Sequence, residues 1–273
     1  MRKLSLKEIQ SNSLKILLNV HDVCHNLGID YSLAYGTLIG AARHKGFIPW
    51  DDDIDIIMTR ENFERFVKEY KSNNSFQLVS PYDVNSYIAF ARVCDIKETQ
   101  IVSRSPWSNY ETGVWIDIFP MDSVSDNEIR HKKRLKVLNL YWRLITIARG
   151  AKVSLVNLNQ WDRPKYIIWL KKVLFLNGIF VRVLLEHFMK RITNPIYATS
   201  NHCAQLACCD EYGFYEKKDF EEYTTLEFEG HQLSVIKEYD KVLRLLYGDY
   251  MQLPPVEEQV PKQSHYIRFY KKD

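Results

Sequence analysis

Four aspartates crowd the stretch "PWDDDIDIIM": Asp51, Asp52, Asp53 and Asp55. Adjacent carboxylates repel, so either water solvates all of them or a cation offsets the repulsion. Asp53 and Asp55 alternate with Ile54 and Ile56. In an extended strand alternate residues share a face, so the two acids are expected to project together while the isoleucines enter a core. "GVWIDIFPMD" repeats the design, with Asp117 between Ile116 and Ile118. If the two strands lie side by side, Asp53, Asp55 and Asp117 form a hard-oxygen site. Mg²⁺, with Mn²⁺ as its substitute, takes such a site and keeps room for waters and substrate phosphates. Asp51 has the strand parity of Asp53 and is expected just outside the ligand set, and Asp52 ends the loop. An isolated D-x-D is most often a solvated acidic turn. Here two separate strands carry an apolar-flanked Asp, and a turn suited to phosphate precedes the first.

That turn is Gly36-Thr37, between a short strand ("YSLAYG") and a short helix ("TLIGAARH"). A glycine there lets the backbone approach an anion, and a helix N-terminus offers free N–H groups and partial positive charge. Thr37 adds a hydroxyl. Alone, the pair reads equally well as a helix cap. Arg43, His44 and Lys45 at the far end of the helix are candidates to hold phosphate or acceptor. His265 is a candidate phosphate or nucleotide contact, and a surface histidine is as good a reading. Together these parts describe metal-assisted phosphoryl chemistry, with Asp117 the candidate to take a proton from an attacking hydroxyl.

The elements that must position these residues follow from periodicity. Ser5 and Glu8 form a capping box, and apolar residues from Leu6 to Leu27 recur at helical spacing up to a stop at Gly28. "DIDIIM" reads as a strand, and Thr59 caps a helix with Phe63, Phe66, Val67 and Tyr70 on one face. Strands then cover "FQLVS", "YIAFARVC", "TQIVSR" and "VWIDIF". From Ser125 the pattern turns helical, with another S-x-x-E box and a break near Asn177-Gly178. "EYTTLEFEGHQLSVI" reads as a hairpin and "KEYDKVLRLLYGDY" as a helix ending near Gly248. The expectation is an α/β (α+β) fold: a mixed-sheet core over residues 1–124, a helical insertion over 125–195, and a C-terminal segment, 196–273, that packs back on the core.

Composition narrows the class. The chain has 273 residues, 46% hydrophobic and 26% charged, which is globular. A net charge of +3 does not argue for nucleic acid as a partner. "MRKLSLKEIQSN" lacks the apolar centre of a signal peptide, and no run of about 18 uncharged apolar residues predicts a membrane span. Five cysteines, an odd number, read as reduced thiols, so a cytoplasmic location is expected.

"YGTLIGAARHKGFIPWDDDIDI", "GVWIDIFPMD", and "YGDYMQLPP" with a histidine downstream strongly resemble the LicD family of phosphotransferases, related to the fukutin group. The motifs run from Tyr31 to His265. The resemblance implies a nucleotidyltransferase-like fold in which Gly36-Thr37 stands at the phosphate turn and Asp53, Asp55 and Asp117 match the metal carboxylates. It also implies transfer of phosphocholine from CDP-choline to a sugar hydroxyl of a cell-surface glycan or teichoic acid precursor, releasing CMP. Lipid-linked or oligosaccharide acceptors are implied, with a peripheral place at the inner face of the membrane. Relatives move phosphoribitol from CDP-ribitol, so the shared motifs leave the head group open. True nucleotidyl transfer and a choline- or lipid-binding adaptor are the competing readings; the intact carboxylate set speaks against the adaptor.

Three weaker signals remain. Trp115 and Tyr87 are candidates for an aromatic cage around a quaternary ammonium, with packing at least as good a reading. Lys165 to Leu185 has the mixed basic and apolar composition of an interfacial helix, but a buried helix or dimer contact is favoured. His202, Cys203, Cys208 and Cys209 are zinc-type ligands. Vicinal cysteines are awkward joint ligands and no C-x-x-C pair exists, so zinc is not expected.

Overall fold

A computed structural model describes residues 2–83, 86–103, 112–154, 178–207, 213–261 and 267–272. His265, Cys208, Cys209 and residues 165–177 of the proposed interfacial stretch from Lys165 to Leu185 lie outside the described residues. The chain forms an α/β fold around a curled mixed sheet. Helix α1, Leu6–Leu27, starts at the expected capping box and ends at Gly28, which adopts φ 60°. Strand β1, Ser32–Leu33, leads into α2, Tyr35–Ile39, which continues as a wider turn over Gly40–His44. Strand β2, Asp55–Thr59, is followed by α3, Arg60–Glu69, and Thr59 caps it by accepting from the Asn62 amide. Then come β3 (Phe76–Val79), β4 (Ala91–Asp95), β5 (Thr99–Ser103) and the long β6 (Trp115–Val124).

The order across the sheet is β1-β2-β6-β4-β3. Strand β6 is its spine. It pairs parallel with β2 and antiparallel with β4, and its far end pairs with β7, His202–Ala204, which in turn pairs with β8, Tyr215–Glu216. Alternation then sorts the faces. Ile56 and Ile118, both fully buried, lie on the side that meets α1 and α3. Ile57, Phe119 and Met121 lie on the other, against Tyr35.

Among the described residues β6 is followed by α4, Glu128–Ser154, and α5, Gly178–Ile192, which pack on each other. The S-x-x-E box expected at Ser125 is not the cap. Asn127 accepts from the Arg130 amide instead, at 3.0 Å, because α4 begins only at Glu128. The expected hairpin is β9, Tyr223–Phe228, with β10, His231–Ile236. Glu229 and Gly230 both have positive φ at its tip, the geometry that matches strand twist in a two-residue turn. Helix α6, Tyr239–Tyr247, ends at Gly248 as expected, and β11, Ile267–Lys271, pairs with β5.

One buried ion pair fastens α3 to the sheet. Arg60 grips both oxygens of Asp122, at 2.8 and 3.0 Å, and the Asp122 side chain is 1% exposed. Burial pushes the Asp122 carboxyl up, and the guanidinium opposes that shift. Removing one partner strands the other charge. Arg60→Ala is therefore expected to lower unfolding free energy by about 3 kcal/mol in a urea titration, well beyond a surface truncation.

Candidate functional site

The register of β2 against β6 decides the central geometry. Asp55 pairs with Asp117 across the parallel ladder, so their side chains leave the sheet on the same face. On the other side of β6, Arg92 pairs with Asp117. Three strands thus present a row of acid, acid and base. The Arg92 guanidinium reaches both Asp117 oxygens, at 2.5 and 3.3 Å, and lies over the Trp115 ring at 4.7 Å. Arg92 was not singled out in the sequence. Its signal was an arginine inside the otherwise apolar run "YIAFARVC", which demands an acidic partner once buried.

Asp53 is not part of this strand row, although its carboxyl feels the Asp117 charge. Strand β2 begins at Asp55, so Asp53 sits in irregular backbone before it and not on the strand face. The loop folds back, and carboxylate oxygens of Asp51, Asp52 and Asp53 come within 4.8 Å of one another. Asp51, expected outside the set, is part of this group. Asp52 is 2% exposed and so more than a loop end. Burial, then the Asp51 charge and its hydrogen bond, then Asp117, push the Asp53 carboxyl well above the usual range. Burial first, then Asp53, Asp117 and Asp51, do the same to Asp55, and Arg92 pulls the other way. The site is a concentration of negative charge with one cation at its edge. Its oxygen donors suit a hard divalent ion.

The Gly36-Thr37 turn is tightly built. Thr37, 4% exposed, accepts from the Asp55 amide at 2.9 Å, and its hydroxyl hydrogen remains free to donate. A Cβ at Gly36 would lie 2.5 Å from Asp51 Oδ2, so any side chain there would displace that carboxylate. Tyr35, just before it, holds φ 48°, a costly value for a non-glycine residue.

The three candidates after the turn separate. Arg43 donates to the carbonyls of Tyr250 and Gln252, at 2.5 and 3.2 Å, and to His44 Nε2 at 2.9 Å. It therefore ties this loop to the "YGDYMQLPP" segment. Lys45 is 73% exposed and lies 3.6 Å from Glu227 on β9. The cation that acts on Asp55 is Arg92, and none of these three.

Trp115 and Tyr87 are buried, and Trp115 lies between Arg92 and Phe269. A different aromatic group flanks the carboxylates. Tyr35 meets Phe119 edge-on at 5.9 Å, and Phe90 meets Phe119 at 4.7 Å. His202 points to Asp126 at 2.7 Å and stacks on Phe214, while Cys203, next along β7, faces the opposite way with its thiol pushed up by burial to about 12.

The family model for the LicD/FKTN/FKRP nucleotidyltransferase domain matches residues 28–141, from the end of α1 into α4. The chain is 31% identical over 98% of its length to the lipopolysaccharide cholinephosphotransferase LicD of Haemophilus influenzae, and covers 98% of that protein. The chain belongs to the LicD family. It is a transferase of the LicD type. Two uncharacterised proteins match short segments. One, from Rickettsia typhi, is 35% identical and covers 21% of this chain and 19% of its own. The other, from Rickettsia prowazekii, is 40% identical and covers 18% of each. Among the described residues no helix of this LicD-family chain is long and apolar enough to cross a membrane.

The raised carboxyls make a prediction for the metal-free protein. In the folded state Asp53 and Asp55 keep protons that the unfolded chain has released, from the ordinary carboxylate pKa near about 4 up to their raised values. Stability without a divalent ion should therefore fall as pH rises through that window. Asp55→Asn, which removes the repulsion, is expected to raise Tm at neutral pH in chelator. The rise should be roughly 2–4 °C per kcal/mol relieved. A lower Tm in this variant by scanning calorimetry would mean that the repulsion is already compensated.

Proposed function

We propose that this chain moves phosphocholine from CDP-choline to a sugar hydroxyl of a cell-surface glycan precursor of lipopolysaccharide or teichoic acid type, and releases CMP. The observation that carries the reading is the row Asp55, Asp117, Arg92 with the Asp51–Asp53 loop folded against it. The near full-length likeness to a lipopolysaccharide cholinephosphotransferase supports the donor and acceptor classes. The head group has support of its own. Tyr35, only half-buried, packs on Phe119 and through it on Phe90, and a quaternary ammonium binds to aromatic faces where a ribitol would not.

Asp53, Asp55 and Asp117 would hold Mg²⁺, with Asp51 close enough to share in it. When bound, the ion neutralises charge on the diphosphate and on the departing oxygen. The acceptor oxygen attacks the phosphorus next to choline. A new phosphorus–oxygen bond forms as the bond to CMP breaks, and the hydroxyl proton passes to a carboxylate. The sequence pointed to Asp117 for that proton. Both Asp117 oxygens already accept from Arg92, so its task is to stay fixed. The raised proton affinity of Asp53 and Asp55 belongs to the metal-free site, where burial and neighbouring carboxylates cause it, and a bound ion would cancel it. Thr37 keeps a hydrogen to donate to a phosphate oxygen.

Asp53→Ala or Asp55→Ala is expected to abolish transfer with circular dichroism still native and Tm not lowered; near-normal turnover in either would rule the site out. CMP should be the released product. Pyrophosphate from CTP would instead make the chain a nucleotidyltransferase, and CDP-choline binding without turnover on any acceptor would leave it a binding module. Phe119→Leu should raise KM for CDP-choline by roughly two- to thirtyfold, the worth of one cation–π contact, with a smaller change for CDP-ribitol.

A further inference from the structure

Helix α4 spans about 40 Å at helical rise. One face is spoken for: Leu135, Leu138 and Ile145 are buried, and Trp142 packs on Phe188 of α5. The opposite face is apolar too. Ile129, Val137, Leu140 and Leu144 are 68%, 45%, 59% and 39% exposed. Val137, Leu140 and Leu144 stand three, then four residues apart, so they form one stripe. Water gains nothing from such a stripe, and scattered exposed leucines do not normally align this way.

The charges around the stripe are all of one sign. Arg130, Lys133, Lys136 and Arg143 are exposed, and none has a carboxylate partner among the described residues. Glu128 is the one acid of the helix and is taken by Lys132 at 2.7 Å. From Arg130 onward every formally charged residue of α4 is Lys or Arg. The whole chain carries a net charge of only +3, so this excess is local.

We propose that the outward face of α4 docks on an anionic lipid surface. Aliphatic side chains at the centre enter the boundary between headgroups and acyl chains, while the lysine and arginine stems lie alongside and their charges meet lipid phosphates. A second copy of the same face would set cation against cation, which disfavours a dimer through it. A polyanion such as nucleic acid would satisfy the charges but leave the aliphatic stripe in water. The contact is peripheral, since no described helix is able to span a bilayer. It stands independently of the donor chemistry.

The test is flotation of the full chain with vesicles of phosphatidylcholine mixed with phosphatidylglycerol, against vesicles of phosphatidylcholine alone. Wild type should float with the mixed vesicles only, and less as salt rises. Lys133→Glu with Lys136→Glu should weaken partitioning by roughly fivefold or more per side chain. Leu140→Asp with Leu144→Asp should abolish it. All four positions are exposed, so an unchanged Tm is expected and verifies the fold. Three results would overturn the proposal: no flotation, equal flotation with neutral vesicles, or flotation that both double variants leave untouched. A dimer in light scattering that Leu140→Asp dissolves, without vesicle binding, would assign the stripe to a second copy instead and overturn it as well.

Discussion

Mutual repulsion among carboxylates is the constraint around which the site is organised. Burial first, and then the charges of nearby carboxylates including Asp51 and Asp117, raise the proton affinity of Asp53 and Asp55. A fold does not collect such groups for stability. It has to hold them by other means, and those means are visible. Asp117 is held by a guanidinium on the neighbouring strand. Asp55 is held by the sheet ladder and by Thr37 on its amide. The loop before it is held by Gln10 of α1, which donates to the Asp51 carbonyl at 2.8 Å, and by Gly36, whose missing side chain gives the Asp51 carboxylate its place.

These supports come from distant parts of the chain. The tip of the β9–β10 hairpin clasps the loop after α2: the Glu229 amide donates to the Lys45 carbonyl, and Glu229 Oε1 accepts from the Phe47 amide. Gly46 is needed for this approach, because a Cβ there would collide with the Glu229 carboxylate. Arg43 adds the link to Tyr250 and Gln252. The first and last motifs of the family are therefore parts of one support, although only the first carries carboxylates of the site.

Much of this was legible from residue spacing. The capping box at Ser5, the stop at Gly28, the Thr59 cap, the hairpin and the end of α6 are local signals, read from neighbours in the chain, and each stands as expected. Strand alternation also placed Asp55 and Asp117 on one side. The misreadings share a cause. Asp53 was assigned to a strand because its neighbours alternate, but no partner strand reaches it, and pairing decides where a strand begins. Ser125 lost the capping role because the helix starts two residues later than the box implies. Arg92, the Tyr35–Phe90–Phe119 group and the work of Arg43 were invisible because each is a meeting of segments far apart in sequence.

That separation governs how the protein is made. Asp55 and Asp117 become neighbours only through a parallel pairing, which cannot form from a simple hairpin and so waits for the intervening chain. The Arg43 anchor waits longer, for the carbonyls of Tyr250 and Gln252. Contacts of such span pay their loop-closure cost before they return anything, so they are slow to form. A nascent chain emerging from the ribosome has α1 and α3 available early, can pair β2 with β6 only once β6 is out, and gains the hairpin and the Arg43 anchor last. Activity is thus a late reporter of folding, silent until nearly the whole polypeptide has been synthesised.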